Sequence, residues 1–347
     1  MTAKRFGDYL GKELSYPMRH IMVKDLSEGH SIAQFFLAKR KAQRTTRNGD
    51  FYLELVLADR TGTIPARAWS EAAERYGDKF DEGEFVFVEG KTDTYRGSLQ
   101  VIVNKIQRIQ SYEQQEGEIP GFEPAILVPT SKQDPGQMWE QLQGLVKTIT
   151  PPQLCQLTTG LLAANEQQFK RYPAAISYHH AYLGGLLEHT LEVAAGIAHF
   201  ADFYPRLHRG LALAGAVLHD IGKVRELENP IAPQPSFNGR LIGHLLLGRD
   251  MVREAANEMD WQNKQLPELL EHIIVSHHGE LEFGAAIVPK TAEAIAVYYF
   301  DNLSAKLNMV TTHIDRDTKP GEFTDRHKLL GRSFFKGGLT DQGAEPE

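Results

Sequence analysis

The sequence predicts two domains of opposite class, a small all-β barrel followed by an all-α domain. Three observations lead there. Apolar residues recur at strand spacing from Ile32 to Ile109 and at helix spacing from Met138 to about Arg316. Between them, residues 111–136 follow neither period and are rich in Glu, Gln, Gly and Pro, as in Gln114–Pro120, which is the composition of a linker. Charge divides at the same place: residues 1–110 carry 18 Lys+Arg and 15 Asp+Glu, and the remainder carries 20 and 30. Net charges of +3 and −10 suit a binding module joined to an acidic module, although surface charge also varies between domains without functional meaning. The expected boundaries are a barrel at 1–110, a linker at 111–136, a helical domain at 137–334 and a disordered, Gly-rich polar tail at 335–347.

In the first half, Ile32–Arg44 is apolar and then basic, and Phe51–Ala58 alternates before the turn Asp59-Arg60-Thr61-Gly62. Thr63–Trp69 is a short strand, and Ser70–Phe80 is a helix with Ser70 as its expected N-cap. Phe85–Tyr95 and Leu99–Ile109 form a hairpin across Arg96-Gly97-Ser98. Three strands, a helix and two strands is the order of a five-stranded OB barrel. In the second half, helices are expected at Trp139–Thr148, Gln153–Arg171, Leu183–Phe203, Arg209–Ile221, Arg240–Glu258, Leu266–Ser276 and Thr291–Ile314.

Bulk properties exclude several classes. No apolar run approaches the roughly 20 residues that span a bilayer, so no membrane partner is expected. Met1–Lys12 has Lys4 and Arg5 but no apolar stretch behind them, unlike a secretory signal. Cys155 is the only cysteine, which rules out an intrachain disulfide and a thiolate-rich metal site. A cytoplasmic protein is expected.

The chemistry lies in the histidines. The chain has 14, most of them in the helical half. His189 follows Gly-Gly-Leu-Leu-Glu, and His219-Asp220 closes an apolar helix as Leu-His-Asp-Ile-Gly-Lys. His244 follows Ile-Gly, His277-His278 ends a helix as Ser-His-His-Gly, and Asp301 sits inside the last helix. A lone histidine on an apolar face is ordinarily a hydrogen-bonded core residue. Seven ionisable groups on five core-like segments are harder to bury unless something pairs with all of them, and divalent cations would do so. An imidazole gives one nitrogen to one ion, whereas a carboxylate has an oxygen for each of two. Neutral histidines and two aspartates leave a two-ion site at roughly +2, suited to an anionic phosphodiester. So many nitrogen donors disfavour Mg²⁺ and Ca²⁺ and favour Mn²⁺ first, then Co²⁺, Fe or Ni²⁺.

His189, His219-Asp220 and Asp301 resemble the H…HD…D signature of the HD superfamily of metal-dependent phosphohydrolases, and His244 with His277-His278 resembles the extra histidines of its binuclear members. The order of a barrel and then this set, with His-His-Ala-Tyr-Leu-Gly-Gly-Leu-Leu-Glu-His-Thr and Ser-His-His-Gly-Glu, is similar to the YhaM-type 3′→5′ exoribonucleases over roughly residues 10–330. The resemblance implies one ion on His189, His219, Asp220 and Asp301, and a second sharing Asp220 and taking His244, His277 and His278. It also implies Asp220 as the catalytic bridge and Lys223 as a contact to a phosphate oxygen, where the alternative is a solvated lysine. The Gly-Tyr-Pro that marks the cyclic-dinucleotide branch is missing after His277-His278. His179 and His180 precede the Gly-Gly turn and could contact phosphate or protonate the leaving oxygen, the alternatives being support of a ligand or simple surface exposure. The expected reaction is metal-assisted hydrolysis by water without a serine or cysteine nucleophile.

The expected partner is single-stranded RNA, with single-stranded DNA as a second substrate. A basic run, Lys39, Arg40, Lys41, Arg44 and Arg47, lies in the barrel with Phe51, Tyr52, Trp69 and Tyr95 nearby, the combination by which OB barrels hold single strands. Because side chains alternate along a strand, Phe35, Phe36 and Phe51 are assigned to the barrel core, and Arg44, Arg47, Tyr95 and Arg96 to the ligand. Two other functions stay open at this stage: a small-nucleotide or cyclic-nucleotide phosphohydrolase with a regulatory barrel, and a non-catalytic nucleic-acid-binding factor with structural metals. Homo-oligomerisation is also open.

Overall fold

A computed structural model describes residues 20–46, 49–109, 122–317 and 319–337. Arg47 and most of the expected tail lie outside the described residues. The chain divides into two compact units, Met1–Thr130 with Asn229–Gln234, and Ser131–Glu228 with Pro235–Glu347.

The first unit is a closed barrel of β1 (Ser31–Thr45), β2 (Phe51–Asp59), β3 (Gly62–Ala68), β4 (Phe85–Tyr95) and β5 (Ser98–Arg108), with α1 (Ser70–Tyr76) between β3 and β4. The strands run β1-β2-β3-β5-β4 around it. Only β3 and β5 pair in parallel, and β4 closes the barrel antiparallel to β1; this is the OB order. Alternation fills the interior with Phe36, Leu55, Leu57, Val86, Val88, Val101 and Ile106. Register shifts at Ala38/Arg40 and Glu89/Gly90 bend the long strands round the closure. A short helix α2 (Pro124–Leu127) lies in the stretch expected as linker, and Arg60 N donates to Ile126 O at 2.9 Å.

Three expectations for the barrel are corrected. Phe35 is buried on the outer side, edge-on to Phe87 at 5.1 Å and Phe122 at 5.2 Å, because adjacent residues of a strand face opposite ways. Phe51 shares the inward parity of Leu53 and Leu55, but it pairs with Thr45 at the hairpin end, beyond the packed interior, and is 51% exposed. Ser70 is the first helical residue, and the N-cap is Trp69, which offers no side-chain bond.

The second unit is helical: α3 (Pro135–Val146), α4 (Pro152–Ala164), α5 (Glu166–Arg171), α6 (Gly185–Phe200), α7 (Arg209–Leu218), α8 (Lys223–Glu226), α9 (Phe237–Leu241), α10 (His244–Asn257), α11 (Gln265–Ser276) and α12 (Ala292–Arg316). Every residue of α7 from Gly210 to Leu218 is buried, so α7 forms the centre of a core shared with Leu186, Val193, Ile197, Ile273 and Val297. The helix expected over Gln153–Arg171 is broken at Asn165, whose side chain donates to Leu161 O at 2.8 Å. The one expected over Arg240–Glu258 is broken at Gly243, which takes φ 76°. That second break leaves His244 as the first residue of α10. No helix among the described residues is long and apolar enough to cross a membrane.

Candidate metal centre

Five segments of the helical unit deliver seven side chains to one place. His189 comes from the second turn of α6, His219 and Asp220 from the turn after α7, and His244 from the start of α10; His277 and His278 follow α11, and Asp301 lies within α12. His189 and His219 are fully buried, and Asp220 is 2% exposed. The donor atoms form three overlapping groups that could hold an ion: His189, His219 and Asp301; His219, Asp220 and His277; His244, His277 and His278.

Asp220 stands between the outer two groups. Its Oδ2 lies 3.5 Å from His219 Nε2 and 3.8 Å from His189 Nε2. Its Oδ1 lies 3.5 Å from His244 Nε2 and 3.6 Å from His277 Nε2, and this buried oxygen has no hydrogen-bond partner. Asp301 Oδ1 is 3.1 Å from His189 Nε2.

The outer nitrogens fix which atom each ring turns inward. His219 Nδ1 donates to Ala216 O at 2.7 Å and His277 Nδ1 to Ile274 O at 2.8 Å, one turn back along their own chain. His244 Nδ1 donates to Glu226 Oε1 at 3.1 Å. Ser304 spends its hydroxyl proton on Glu192 Oε2 at 2.6 Å, so its oxygen accepts from His189 Nδ1 at 2.9 Å. All four Nε2 atoms therefore face the centre, as metal-bound imidazoles do when their other nitrogen is held by an acceptor. His189 and His219 bring their Nε2 atoms to 3.2 Å of one another, as do His244 and His278.

Electrostatics point the same way. Burial draws His189 and His277 below the ordinary imidazole value even with Asp301 and Asp220 beside them. Burial, with His277 and His244 alongside, takes His278 down to about 3. Asp220 is held well below the usual carboxylate range because Lys223 and His219 outweigh its burial, and Asp301 is lowered by His189 and His219. At neutral pH the carboxylates are thus ionised, and these three imidazoles are neutral, which is the form that binds cations. His219 is the exception: burial opposes its charge, but Asp220 and Asp301 raise it. An orphaned buried carboxylate oxygen and a ring of inward nitrogens fit divalent ions better than any set of internal bonds.

Lys223 is not solvated. It is 8% exposed, with Nζ 2.9 Å from Asp220 Oδ2 and donating to Ala174 O. His180 is fully buried in a tight turn at φ 43°, its ring 5.1 Å from that of His189 and its Nε2 3.3 Å from Glu192 Oε2. Burial and Lys223 take its neighbour His179 down to about 3. Sequence reasoning missed Glu192, Ser304 and Glu226. Glu192 follows His189 by one helical turn, as Ser304 follows Asp301 and Glu226 follows Lys223, so helical spacing from the expected site residues was the available signal.

On the barrel, the expected binding residues fall into two places. Arg44 lies opposite Tyr52 and pairs with Glu54 at 3.0 Å. Tyr95 is 48% exposed and has the guanidinium groups of Arg67 and Arg96 5.0 and 5.3 Å from its ring centre. Lys41 is engaged in the fold: its ammonium donates to Phe80 O and sits over the Phe80 ring.

Comparison with known proteins bears on both units. Residues 186–306 match the HD domain and residues 38–109 match the OB-fold nucleic acid binding domain. The 3′-5′ exoribonuclease YhaM of Bacillus subtilis (strain 168) is 32% identical over 309 residues, covering 89% of this chain and 95% of that protein. The protein of the same name from Halalkalibacterium halodurans is 31% identical over 309 residues and is covered to 93%. Among solved structures, the second OB-fold domain of replication protein A from Methanococcus maripaludis matches 26% of this chain and 94% of its own, at 21% identity and a TM-score of 0.22. With about a third of residues identical to these relatives along almost their whole length, the chain belongs to the YhaM family of 3′-5′ exoribonucleases.

Proposed function

We propose that this hydrolase is a metal-dependent exoribonuclease that shortens single-stranded RNA from its 3′ end at a binuclear centre, with single-stranded DNA as a second substrate. Residues 137–334 carry the chemistry and 1–110 hold the strand, joined by 111–136, in a cytoplasmic enzyme. The division of Asp220 supports this reading best: one buried carboxylate turns its two oxygens to two sets of histidines. His189, His219, Asp220 and Asp301 would hold one ion, and Asp220 with His244, His277 and His278 would hold a second, with Mn²⁺ the first choice. Bound ions would acidify water and neutralise charge on the phosphoryl oxygens. Lys223, already buried beside Asp220, supplies a fixed cation to a phosphate oxygen. The leaving group is a ribose 3′-oxygen, which needs a proton; His180, whose ring nitrogens have no aligned partner, stands next to His189 to give one. The products are nucleoside monophosphates.

A 5′-labelled single-stranded RNA of about 30 nucleotides, longer than one OB barrel covers, tests the reading. Mn²⁺-loaded protein should produce a ladder that shortens from the 3′ end. An intact oligomer under Mn²⁺, Co²⁺, Fe²⁺ and Ni²⁺ alike, with turnover of small nucleotides, would replace the exonuclease with the small-nucleotide phosphohydrolase.

A second expected result concerns Glu226, which accepts from both the ring and the backbone nitrogen of His244 at 3.1 Å. Glu226→Gln should weaken Mn²⁺ binding about 10-fold, the usual size for an outer partner of a ligating histidine, and leave the melting temperature nearly unchanged. Calorimetric titration with Mn²⁺ reads this directly. Unaltered affinity would reduce Glu226 to an anchor for the start of α10.

A further inference from the structure

The last helix has two faces with different work to do. The inner face of α12 brings Asp301 Oδ1 to 3.1 Å from His189 Nε2 and Ser304 Oγ to 2.9 Å from His189 Nδ1. Its outer face should be polar, since a surface helix turns charged and polar residues to water. α10 follows that rule and exposes Arg253, Glu254 and Asn257 with one apolar residue, Leu246. α12 breaks it. From Ala292 to Thr311 it exposes seven side chains, of which only Lys306 carries a charge. Ile295, Tyr299, Leu303 and Leu307 recur every four residues and are 46%, 63%, 49% and 56% exposed. That spacing makes one slanted ridge over more than three turns.

The end of α6 widens this apolar face. Phe200 stacks on Tyr204 at 4.7 Å and meets Phe300 of α12 edge-on at 5.4 Å. Phe203 follows Phe200 by one tight turn and is 69% exposed, and Tyr204 is 54% exposed. Patches of this kind on a folded chain mark an interaction surface.

The chemistry of the face names its occupant. A nucleic-acid strand needs cations for its phosphates, and the ridge has one lysine. Faces that settle on lipid are rimmed with Lys and Arg, whereas residues 111–347 carry 20 Lys+Arg against 30 Asp+Glu. An uncharged apolar ridge is complementary to itself, which a two-fold contact between identical chains requires. Two ridges of residues four apart also interdigitate in the commonest packing of helix on helix. Size agrees as well. A stable contact covers about 800 Å² on each partner. Aromatic side chains hide about 150–250 Å² each when buried, so the exposed parts of Tyr299, Phe203 and Tyr204 bring about 300–450 Å². Phe200, Ile295, Leu303 and Leu307 add about as much again.

We propose that this face is the contact between two copies of the chain, with their α12 helices crossing at Leu303 about a two-fold axis. Asp301 lies two residues from Leu303, about 200° around the helix, so the contact forms on the back of the helix that serves the metal centre. Assembly is independent of the proposed substrate, and its failure would leave the nuclease reading untouched.

Sedimentation equilibrium of the full-length protein in EDTA tests the proposal. Expected is twice the chain mass of 39.0 kDa at micromolar concentration. Leu303→Glu sets two carboxylates against each other at the axis and should weaken association by about 100-fold or more. Because the position is exposed, that variant should keep the melting temperature of the dissociated parent. A second variant does not depend on disrupting anything. A two-fold axis brings a residue next to its own copy, so Leu303→Cys, in a Cys155→Ser background, should be joined chain to chain by a short bismaleimide. Asn257→Cys on α10 should not. A parent that stays at 39.0 kDa at every concentration would overturn the proposal. So would a dimer that survives Leu303→Glu and is not joined through Leu303→Cys, because another surface would then hold it. A monomeric parent that floats with phosphatidylglycerol vesicles would give the face to a membrane surface instead.

Discussion

Asp220→Asn is expected to cut exonuclease turnover by about 10³-fold or more, the scale of removing a principal electrostatic group from an active site, and to lower Mn²⁺ content when the protein is isolated in excess metal. The substitution keeps the shape of the side chain but not its symmetry. An asparagine can turn its carbonyl oxygen to His189 and His219 or to His244 and His277, but not to both; the amide nitrogen cannot bind a cation. The same change leaves the buried Lys223 without its carboxylate partner at 2.9 Å. Leaving a buried charge uncompensated costs about 3 kcal/mol or more, so the metal-free variant should also melt on the order of 10 °C lower. Elemental analysis, thermal melts in EDTA and in Mn²⁺, and the RNA ladder assay read the three effects separately. Turnover within 10-fold of the parent protein with full metal content would remove Asp220 as the shared ligand.

How much of this was readable in the sequence depends on what each residue answers to. The barrel strands were legible because period-two burial writes itself into Phe51–Leu57, and because Phe85–Val88 is a short apolar run buried on both sides. Period reports parity and not depth, which is why Phe51, facing inward at the end of a hairpin, was placed in a core that does not reach it. The helices were legible in outline but not in their breaks. Asn165 and Gly243 interrupt apolar patterns that continue on either side, and only tertiary packing decides that the chain turns there. The ionisable ligands stood out because histidine and aspartate inside apolar helices are costly unless compensated. Their outer partners did not: Glu192, Ser304 and Glu226 look like surface residues until the fold sets them against His189 and His244. Pairing is a property of the fold, and a single sequence carries only the spacing that permits it.

Gly222→Ala is the other change expected to have a large effect, although no ligand is altered. Gly222 has ordinary helical backbone angles, φ −61° and ψ −19°, so conformational freedom is not the reason for a glycine. The reason is distance. A Cβ at this position would lie 2.0 Å from His244 O and 2.6 Å from Gly248 N, both backbone atoms of α10. The turn His219-Asp220-Ile221-Gly222 and the first turn of α10 are pressed together there, with Gly248 as the small residue on the opposing side. A methyl group must therefore push α10 outward by something near 1 Å, and His244 moves with it, away from Asp220 and from Glu226. Overpacking of this kind costs about 1–3 kcal/mol in stability, and a misplacement near 1 Å costs about 10²-fold in rate. The two effects separate cleanly. Asp220→Asn should fail in chemistry and metal binding together. Gly222→Ala should keep His189, His219 and Asp301 in place and lose mainly the His244 side, giving tight binding of one Mn²⁺ and weak binding of a second. Stoichiometric Mn²⁺ titration followed by turnover decides it. Two equally tight ions in the alanine variant would show that the turn yields without moving α10, and close packing at Gly222 would then not be what positions His244.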